Sequence, residues 1–172
     1  MPAYIDKQLG GAWGAGERLY RAGPWHDGTP SQGYQLPYTP AELFRNALRV
    51  IDDDVKRIKG RPFAKLTAEE QDAYLDVLHK GKDLDGIPSS AFFDSLLAMT
   101  IEGFFGDPVY GGNRNMASWR MIGFPGAYAN YYALVDRHNL AFNREPMSLA
   151  QDGRGSVHVH ADISSLPAKG GS

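Results

Sequence analysis

Apolar residues recur at helical spacing in three segments of the chain. The first segment begins at Thr39-Pro40, where Thr39 suits the N-cap, Pro40 suits the first helical position and Glu42 completes a capping box. Apolar positions follow every three or four residues as far as Ile58, and Gly60 suits the left-handed residue that ends many helices. The pattern therefore predicts a helix from Pro40 to about Gly60 with one side against a core.

Two further helices follow the same kind of pattern. A second capping box, headed by Thr67, predicts a helix that stops near Gly81. Residues 81–88 are rich in turn formers and are predicted to be a loop. A third helix is predicted from Ser89 or Ser90 to about residue 104, and its apolar residues lie on nearly all sides. We expect this helix to be buried at the centre of the domain.

The remaining segments give the domain organisation. Residues 1–37 contain seven glycines and four prolines among scattered aromatics, which predicts an extended N-terminal arm lying on a surface. Residues 38–147 are predicted to form the helical domain, with shorter helices over 115–121 and from 126 to about 139. Residues 148–172 are predicted to be a polar C-terminal tail. The fold class is therefore all-α: a small irregular bundle of about four helices with long ordered N- and C-terminal arms, and with some short strand pairing allowed in the arms.

Residues 103–132 stand out in composition. They contain eight of the 20 aromatic residues of the chain, six glycines and two prolines, but only Asp107, Arg114 and Arg120 as charged residues. Many aromatics with few charges are typical of a buried docking surface, and also of an ordinary turn-rich core. Long irregular connections around a small helical core favour the first interpretation, an obligate subunit that is completed by a partner.

Composition excludes several classes of function. The net charge of −2 and a pI of about 6.2 give no basic footprint for nucleic acid or for a membrane surface. No apolar run reaches the roughly 18 residues of a membrane span. The absence of cysteine excludes disulfides, a thiol nucleophile and an iron–sulfur cluster held by this chain. The first residues lack the basic and apolar regions of an export signal, so none is expected there.

A search for chemistry finds no convincing catalytic, cofactor or metal site. His158 and His160 lack an obvious third ligand for zinc. The sequence Gly111-Gly112-Asn113-Arg114 resembles a fragment of a phosphate loop without the rest of any known fingerprint. Acid–base chemistry on a carbohydrate by a free-standing enzyme would draw on Glu102, Asp107 and His138. A free-standing module that binds a sugar in an aromatic groove is a further alternative.

Two segments resemble the gluconate 2-dehydrogenase subunit 3 family. They are GPWHDGTPSQGYQLPYTPAELFR, from Gly23 to Arg45, and EGFFGDPVYGGNRNMASWRMIGFPGAYANYY, from Glu102 to Tyr132. Members of this family are the small, or gamma, subunits of membrane-bound FAD-dependent sugar and sugar-acid dehydrogenases. The small subunit of fructose dehydrogenase belongs to the same broad group and is the alternative.

The resemblance implies a complex of three subunits. A large flavoprotein of the glucose–methanol–choline type carries FAD, and a cytochrome c subunit carries haem c and passes electrons to quinone. The small subunit binds and stabilises the flavoprotein and supports its maturation. It has no cofactor and no catalytic residues of its own, and it lies in the periplasm, peripheral to the inner membrane. Family members often carry a twin-arginine export signal; none is seen here, so we expect either that it has been removed or that this chain does not escort export.

On this interpretation the partner interface combines aromatic and polar residues from residues 103–132 and from the N-terminal arm. Aromatic residues and arginine are typical of the residues that dominate binding energy. The predicted interface residues are Trp25, Tyr34, Phe105, Asp107, Tyr110, Asn113, Arg114 and Trp119.

Overall fold

The computed structural model describes residues 1–26, 28–32, 35–127, 136–139 and 144–151. Their secondary structure is mostly helical and confirms the all-α class. The helices are α1 (Pro2–Leu9), α2 (Pro40–Lys59), α3 (Ala68–His79), α4 (Ser89–Phe105) and α5 (Ala117–Ile122), and the strands are β1 (Asp83–Leu84) and β2 (Ile87–Pro88). Short 3₁₀ turns lie at Pro30–Gln32, Phe63–Lys65, Pro108–Tyr110 and Arg114–Met116.

The chain divides into two compact units. The helical unit comprises residues 5–99, and the C-terminal unit comprises residues 1–4 with residues from 100 onward. The boundaries fall inside α1 and α4, so these two helices contribute residues to both units.

Both predicted capping boxes are confirmed. The Thr39 hydroxyl accepts a hydrogen bond from the Glu42 backbone N–H at 3.1 Å, and the Glu42 carboxylate accepts one from the Thr39 N–H at 2.7 Å. Thr67 and Glu70 make the same pair of bonds at the start of α3. Gly60, with φ of 66°, ends α2 in the left-handed conformation. Local capping chemistry thus fixes where α2 and α3 begin.

The core of the helical unit lies where α2, α3 and α4 bring their apolar sides together. Leu43, Ala47, Val55, Leu78 and Phe92 are almost completely buried, and the rings of Phe44 and Phe92 meet edge to face at 5.0 Å. Full burial of a large apolar side chain contributes about 1.5–3 kcal/mol, so this cluster supplies much of the stability of the unit.

A buried carboxylate joins the elements of the same unit. Asp54 on α2 is 8% exposed, and it accepts a hydrogen bond from the Tyr74 hydroxyl of α3 at 2.7 Å. It also forms ion pairs with Arg57 and with Lys82, which precedes β1. Burial alone would raise the pKa of Asp54, but the hydrogen bonds from Lys82, Tyr74 and Arg57 outweigh burial and hold the pKa below its usual range. Burial and the bond to Asp54 raise the pKa of the Tyr74 hydroxyl.

Three sequence predictions need correction. The N-terminal arm was expected to be irregular throughout, but residues 2–9 form α1, whose Tyr4 is buried. Residues 81–88 were expected to be a loop, but β1 and β2 pair there in an antiparallel hairpin whose two connecting residues, Asp85 and Gly86, are left-handed. This is the conformation that Asp-Gly favours in two-residue hairpin turns.

The third correction concerns α4. It was expected to be buried on most sides, and Phe92 and Met99 are buried, but Leu97 and Ile101 are about half exposed. The helix predicted over 115–121 is found as α5, after a 3₁₀ turn. The helix predicted from 126 to about 139 falls largely on residues 128–135, which lie outside the described residues.

Candidate docking surface

Residues 101–127 of the C-terminal unit are organised by a close approach between the last turns of α4 and the loop that follows. The Asn113 backbone N–H donates a hydrogen bond to the Gly103 carbonyl at 2.8 Å. A Cβ on Gly112 would stand 2.8 Å from the Gly103 carbonyl carbon and closer still to its oxygen, and a Cβ on Gly103 would stand 2.6 Å from the ring of Tyr4. Both positions therefore require glycine for packing.

The loop after this contact has an unusual backbone. Asn113, Asn115 and Met116 have φ of 39°, 57° and 54°, which is left-handed, and Gly111 has φ of 93°. Asparagine tolerates this region better than most residues, whereas methionine does not, and each such residue costs on the order of 1–3 kcal/mol. The surrounding contacts must therefore hold the loop in place.

Asn113 supplies much of that support. Its side-chain oxygen accepts hydrogen bonds from the Ser118 backbone N–H at 3.1 Å and from the Ser118 hydroxyl at 2.7 Å. It therefore stabilises the first turn of α5, although Met116 occupies the N-cap and makes no side-chain capping bond. The Asn113 side-chain nitrogen is buried and has no partner within the described part of the chain.

Trp119 joins α5 to the end of α4. Its side chain is 5% exposed, and its indole N–H donates to the Phe105 carbonyl at 2.7 Å. The ring of Phe124 meets the indole edge to face at 5.2 Å. The indole therefore satisfies one of the carbonyls left unpaired at the C-terminus of α4.

Asp107 joins the loop to a segment far along the chain. One carboxylate oxygen accepts bonds from the Val109 N–H at 2.9 Å and from the Ser148 hydroxyl at 2.5 Å. The other oxygen accepts a bond from the Leu149 N–H at 2.9 Å. Asp107 is therefore a cap and an anchor, which agrees with the sequence interpretation of this residue as a turn former before Pro108.

This scaffold leaves a set of large apolar side chains exposed in the C-terminal unit. The most exposed are Leu149 at 72% and Met121 at 66%, and the rings of Phe104 and Phe105 meet edge to face at 5.0 Å. We call the whole set the apolar face: Ile101, Phe104, Phe105, Tyr110, Met121, Ile122, Phe124 and Leu149. Single exposed apolar residues are ordinary, but neighbouring ones, such as the paired rings of Phe104 and Phe105 and the adjacent Met121 and Ile122, are typical of an interaction site.

The structure divides the predicted interface residues into groups. Phe105, Tyr110 and Arg114 are exposed in the C-terminal unit, and Trp25 is exposed in the helical unit. Tyr34 lies outside the described residues. The side chains of Asn113 and Trp119 are 3% and 5% exposed, and with Asp107 they make hydrogen bonds within the chain that support the surface. Contact with a partner stays a prediction for all eight residues.

A comparison with known protein families shows the family to which the chain belongs. The sequence model described as gluconate 2-dehydrogenase subunit 3 matches residues 1–126. The chain belongs to this family. No curated protein and no solved structure matches the chain. The matched region includes every described helix and all of the apolar face except Leu149.

The acid–base candidates do not form a site in the described part of this gluconate 2-dehydrogenase subunit 3 family member. Glu102 accepts a hydrogen bond from the Tyr4 hydroxyl at 3.2 Å. Asp107 accepts hydrogen bonds from Val109, Ser148 and Leu149. His138 is exposed. No hydrogen bond or ion pair joins any two of the three. Burial, together with the charge of Glu102, raises the pKa of the Tyr4 hydroxyl.

Metal and membrane signals can be assessed over the described ranges. They contain no group of three or more metal-binding side chains; His158 and His160 lie outside them. None of the helices described is both long and apolar enough to cross a bilayer.

The concave regions of the helical unit include one apolar cleft and one groove with a mixed aromatic and amide lining. An apolar cleft of about 600 Å³ has a floor of Ile51, Leu78 and Phe92 and a rim that includes the Asp52–Lys56 ion pair. A smaller groove of about 320 Å³ has a mixed aromatic and amide lining that includes Tyr20, Trp25, His26, Gln32 and Gln35. Sequence reasoning located neither, because both depend on how separate elements pack.

Proposed function

We propose that this chain is the non-catalytic small subunit of an FAD-dependent gluconate 2-dehydrogenase and that its apolar face docks on the flavoprotein subunit. The observation that carries the proposal is the apolar face itself, in a chain whose family is a subunit of that dehydrogenase. Water-exposed Phe, Ile and Met side chains are unfavourable, and a partner that covers them gains their burial.

The expected energies are of the right size for such a role. Full burial of a large apolar side chain contributes about 1.5–3 kcal/mol, so covering the exposed half of eight such residues contributes about 6–12 kcal/mol before costs. Association costs about 4–15 kcal/mol in lost freedom of motion. Apolar burial therefore roughly offsets the cost, and specific polar contacts must supply the rest of the affinity.

In this proposal the chemistry belongs to the partners. The complex oxidises gluconate to 2-keto-gluconate: the secondary alcohol loses a proton and passes a hydride to FAD on the large subunit, and the cytochrome c subunit then transfers electrons to quinone. The side chains of Glu102 and Asp107 accept hydrogen bonds within the chain, which supports a subunit role that uses neither of them as a catalytic residue. We place the complex in the periplasm, at the inner membrane.

The test is co-expression of the flavoprotein subunit with and without this chain. We expect the soluble, flavin-loaded flavoprotein to fall sharply when the chain is omitted, or when Phe105→Asp and Met121→Asp place charges on the apolar face. The matched control is Val77→Asp, an exposed apolar position on α3 at 41% exposure. Full flavoprotein yield without the chain would refute the proposal. Activity of the assembled complex on fructose instead of gluconate would favour the fructose dehydrogenase alternative.

Carbohydrate binding is a second candidate function, and the groove near Trp25 is the observation that favours it. Aromatic rings beside amide and imidazole groups are suited to the apolar faces and hydroxyls of a sugar. Isothermal titration calorimetry of the purified chain with gluconate tests this second function. Saturable binding that is lost in Trp25→Ala supports this role, and no heat at millimolar gluconate excludes it.

A further inference from the structure

We infer that Arg114 is the polar anchor of the apolar face and that it binds the carboxylate of an Asp or Glu side chain on the flavoprotein subunit. The inference rests on the proposed function, since it names the chemistry by which the partner is recognised.

The first argument is the charge inventory of the surface. Residues 101–127 contain four charged side chains: Glu102, Asp107, Arg114 and Arg120. Glu102 accepts a bond from Tyr4, and Asp107 accepts three bonds. Arg120 pairs with Glu145 at 3.0 Å and also donates to the Asn115 carbonyl. Arg114 is exposed, and its guanidinium has no hydrogen bond or ion pair among the residues that the structure describes.

The second argument is the place of Arg114 within the apolar face. The 3₁₀ turn Arg114–Met116 packs against the turn Pro108–Tyr110, whose Tyr110 is 49% exposed. The same turn runs directly into α5, which ends with the exposed pair Met121 and Ile122. Arg114 therefore lies in a turn between two elements that carry exposed apolar side chains, the turn Pro108–Tyr110 and helix α5.

The third argument is desolvation. A partner that covers the apolar face removes water from its surroundings, and a charge that loses water without a counter-charge is strongly unfavourable. The described residues of the chain offer the Arg114 guanidinium no acceptor, so the partner must provide one. A carboxylate is the protein group that matches the planar guanidinium with two parallel hydrogen bonds, which is why arginine is preferred over lysine at such contacts.

The fourth argument is that the backbone around Arg114 is fixed before any partner binds. Left-handed residues stand on both sides of it, at Asn113 and Asn115. The Asn113–Ser118 hydrogen bonds and the Asn113–Gly103 backbone bond hold the loop. A cation carried on a fixed turn loses less freedom on binding than one on a mobile loop, so the contact gains in affinity and in selectivity.

The test measures the dissociation constant of this chain for the flavoprotein subunit, with the wild-type chain and four variants. Arg114→Glu and Arg114→Gln should weaken binding about 30-fold or more, the range found when one partner of a buried charge pair is removed. Arg114→Lys should lie in between, because the ammonium keeps the charge but not the paired geometry. Lys65→Glu, an exposed position in the helical unit with the same change in charge as Arg114→Glu, should bind within about twofold of wild type.

The outcomes separate this inference from the proposed function. If the wild-type chain does not bind the flavoprotein, the proposed function fails. If wild type binds and Arg114→Glu binds equally well, only the inference fails. Because the Arg114 guanidinium has no described partner, all variants should keep the wild-type unfolding temperature.

A charge-swap experiment identifies the acceptor. Each surface Asp and Glu of the flavoprotein is replaced in turn by Lys and tested against Arg114→Glu. The inference requires one position at which the double variant regains most of the lost affinity. If none restores binding, the carboxylate contact is disproved.

Discussion

The substitution Gly112→Ala tests whether the close approach of Gly112 and Gly103 holds the docking surface together. The added methyl would stand 2.8 Å and 2.9 Å from the carbonyl carbon and Cα of Gly103, where ordinary contact is 3.4–4 Å. Both sides of the contact are backbone, so no flexible side chain can move away. The loop must therefore separate from α4.

The cost can be estimated from its parts. Overpacking of a tight contact costs about 1–3 kcal/mol, and weakening the Asn113–Gly103 hydrogen bond costs about 0.5–1.5 kcal/mol. Alanine also lowers the conformational entropy of the unfolded chain, which stabilises the folded state by about 0.4–1 kcal/mol. We expect the free energy of unfolding to fall by about 2–3 kcal/mol, measured by urea denaturation of the purified chain.

Gly123→Ala is the matched control in the same segment. Gly123 has φ of 69°, and a Cβ there would meet nothing within 4 Å. Alanine at this position therefore destabilises the fold only through its left-handed backbone, by about 1–2 kcal/mol. The lower entropy of the unfolded chain offsets part of that loss, as at Gly112. The reasoning is refuted if Gly112→Ala leaves stability unchanged, or if Gly123→Ala is the more damaging of the two.

Three further outcomes are expected in the free chain. Asp54→Asn leaves Lys82 without its buried counter-charge and should lower the free energy of unfolding by about 2–4 kcal/mol in urea; a loss under about 0.5 kcal/mol would contradict the network. Because the folded pKa of Asp54 lies below its ordinary value of 3.8, its contribution should be complete above that pH and lost as pH falls through the folded pKa, and acid titration of Asp54→Asn should lack this component. Trp119→Phe leaves the Phe105 carbonyl without its donor and should cost about 1–3 kcal/mol by thermal unfolding, whereas an unchanged midpoint would show that the bond contributes nothing.

The starts of α2 and α3 could be predicted from the sequence because their signals are local. In a capping box, the side chains of the threonine and of the glutamate three residues later each accept a hydrogen bond from the other residue's backbone N–H, and these bonds do not depend on the rest of the fold. The Asp85-Gly86 turn is also local, and the hairpin was missed only because the strands beside it are two residues long. Helix α1 was missed because it has no side-chain capping signal, although Pro2 at its first position and the glycines after Leu9 mark both ends.

The roles of the aromatic residues could not be predicted in the same way. Trp119 and Phe105 have the same compositional surroundings, yet one is 5% exposed and the other 40%. Which of them faces inward depends on the hydrogen bond between the Trp119 indole and the Phe105 carbonyl, a contact across 14 residues. The burial of Asn113 likewise depends on its left-handed backbone and on Ser118. Specific side-chain contacts of this kind leave no periodic signal in the sequence.

The most direct measurement of the central claim is the elution of the purified chain on size exclusion, alone and mixed with the flavoprotein subunit. The account predicts that the two co-elute as one flavin-containing species and that charges at Phe105 and Met121 separate them. A flavoprotein that is stable and fully flavinated on its own, and that elutes apart from the wild-type chain at micromolar concentrations, would contradict it.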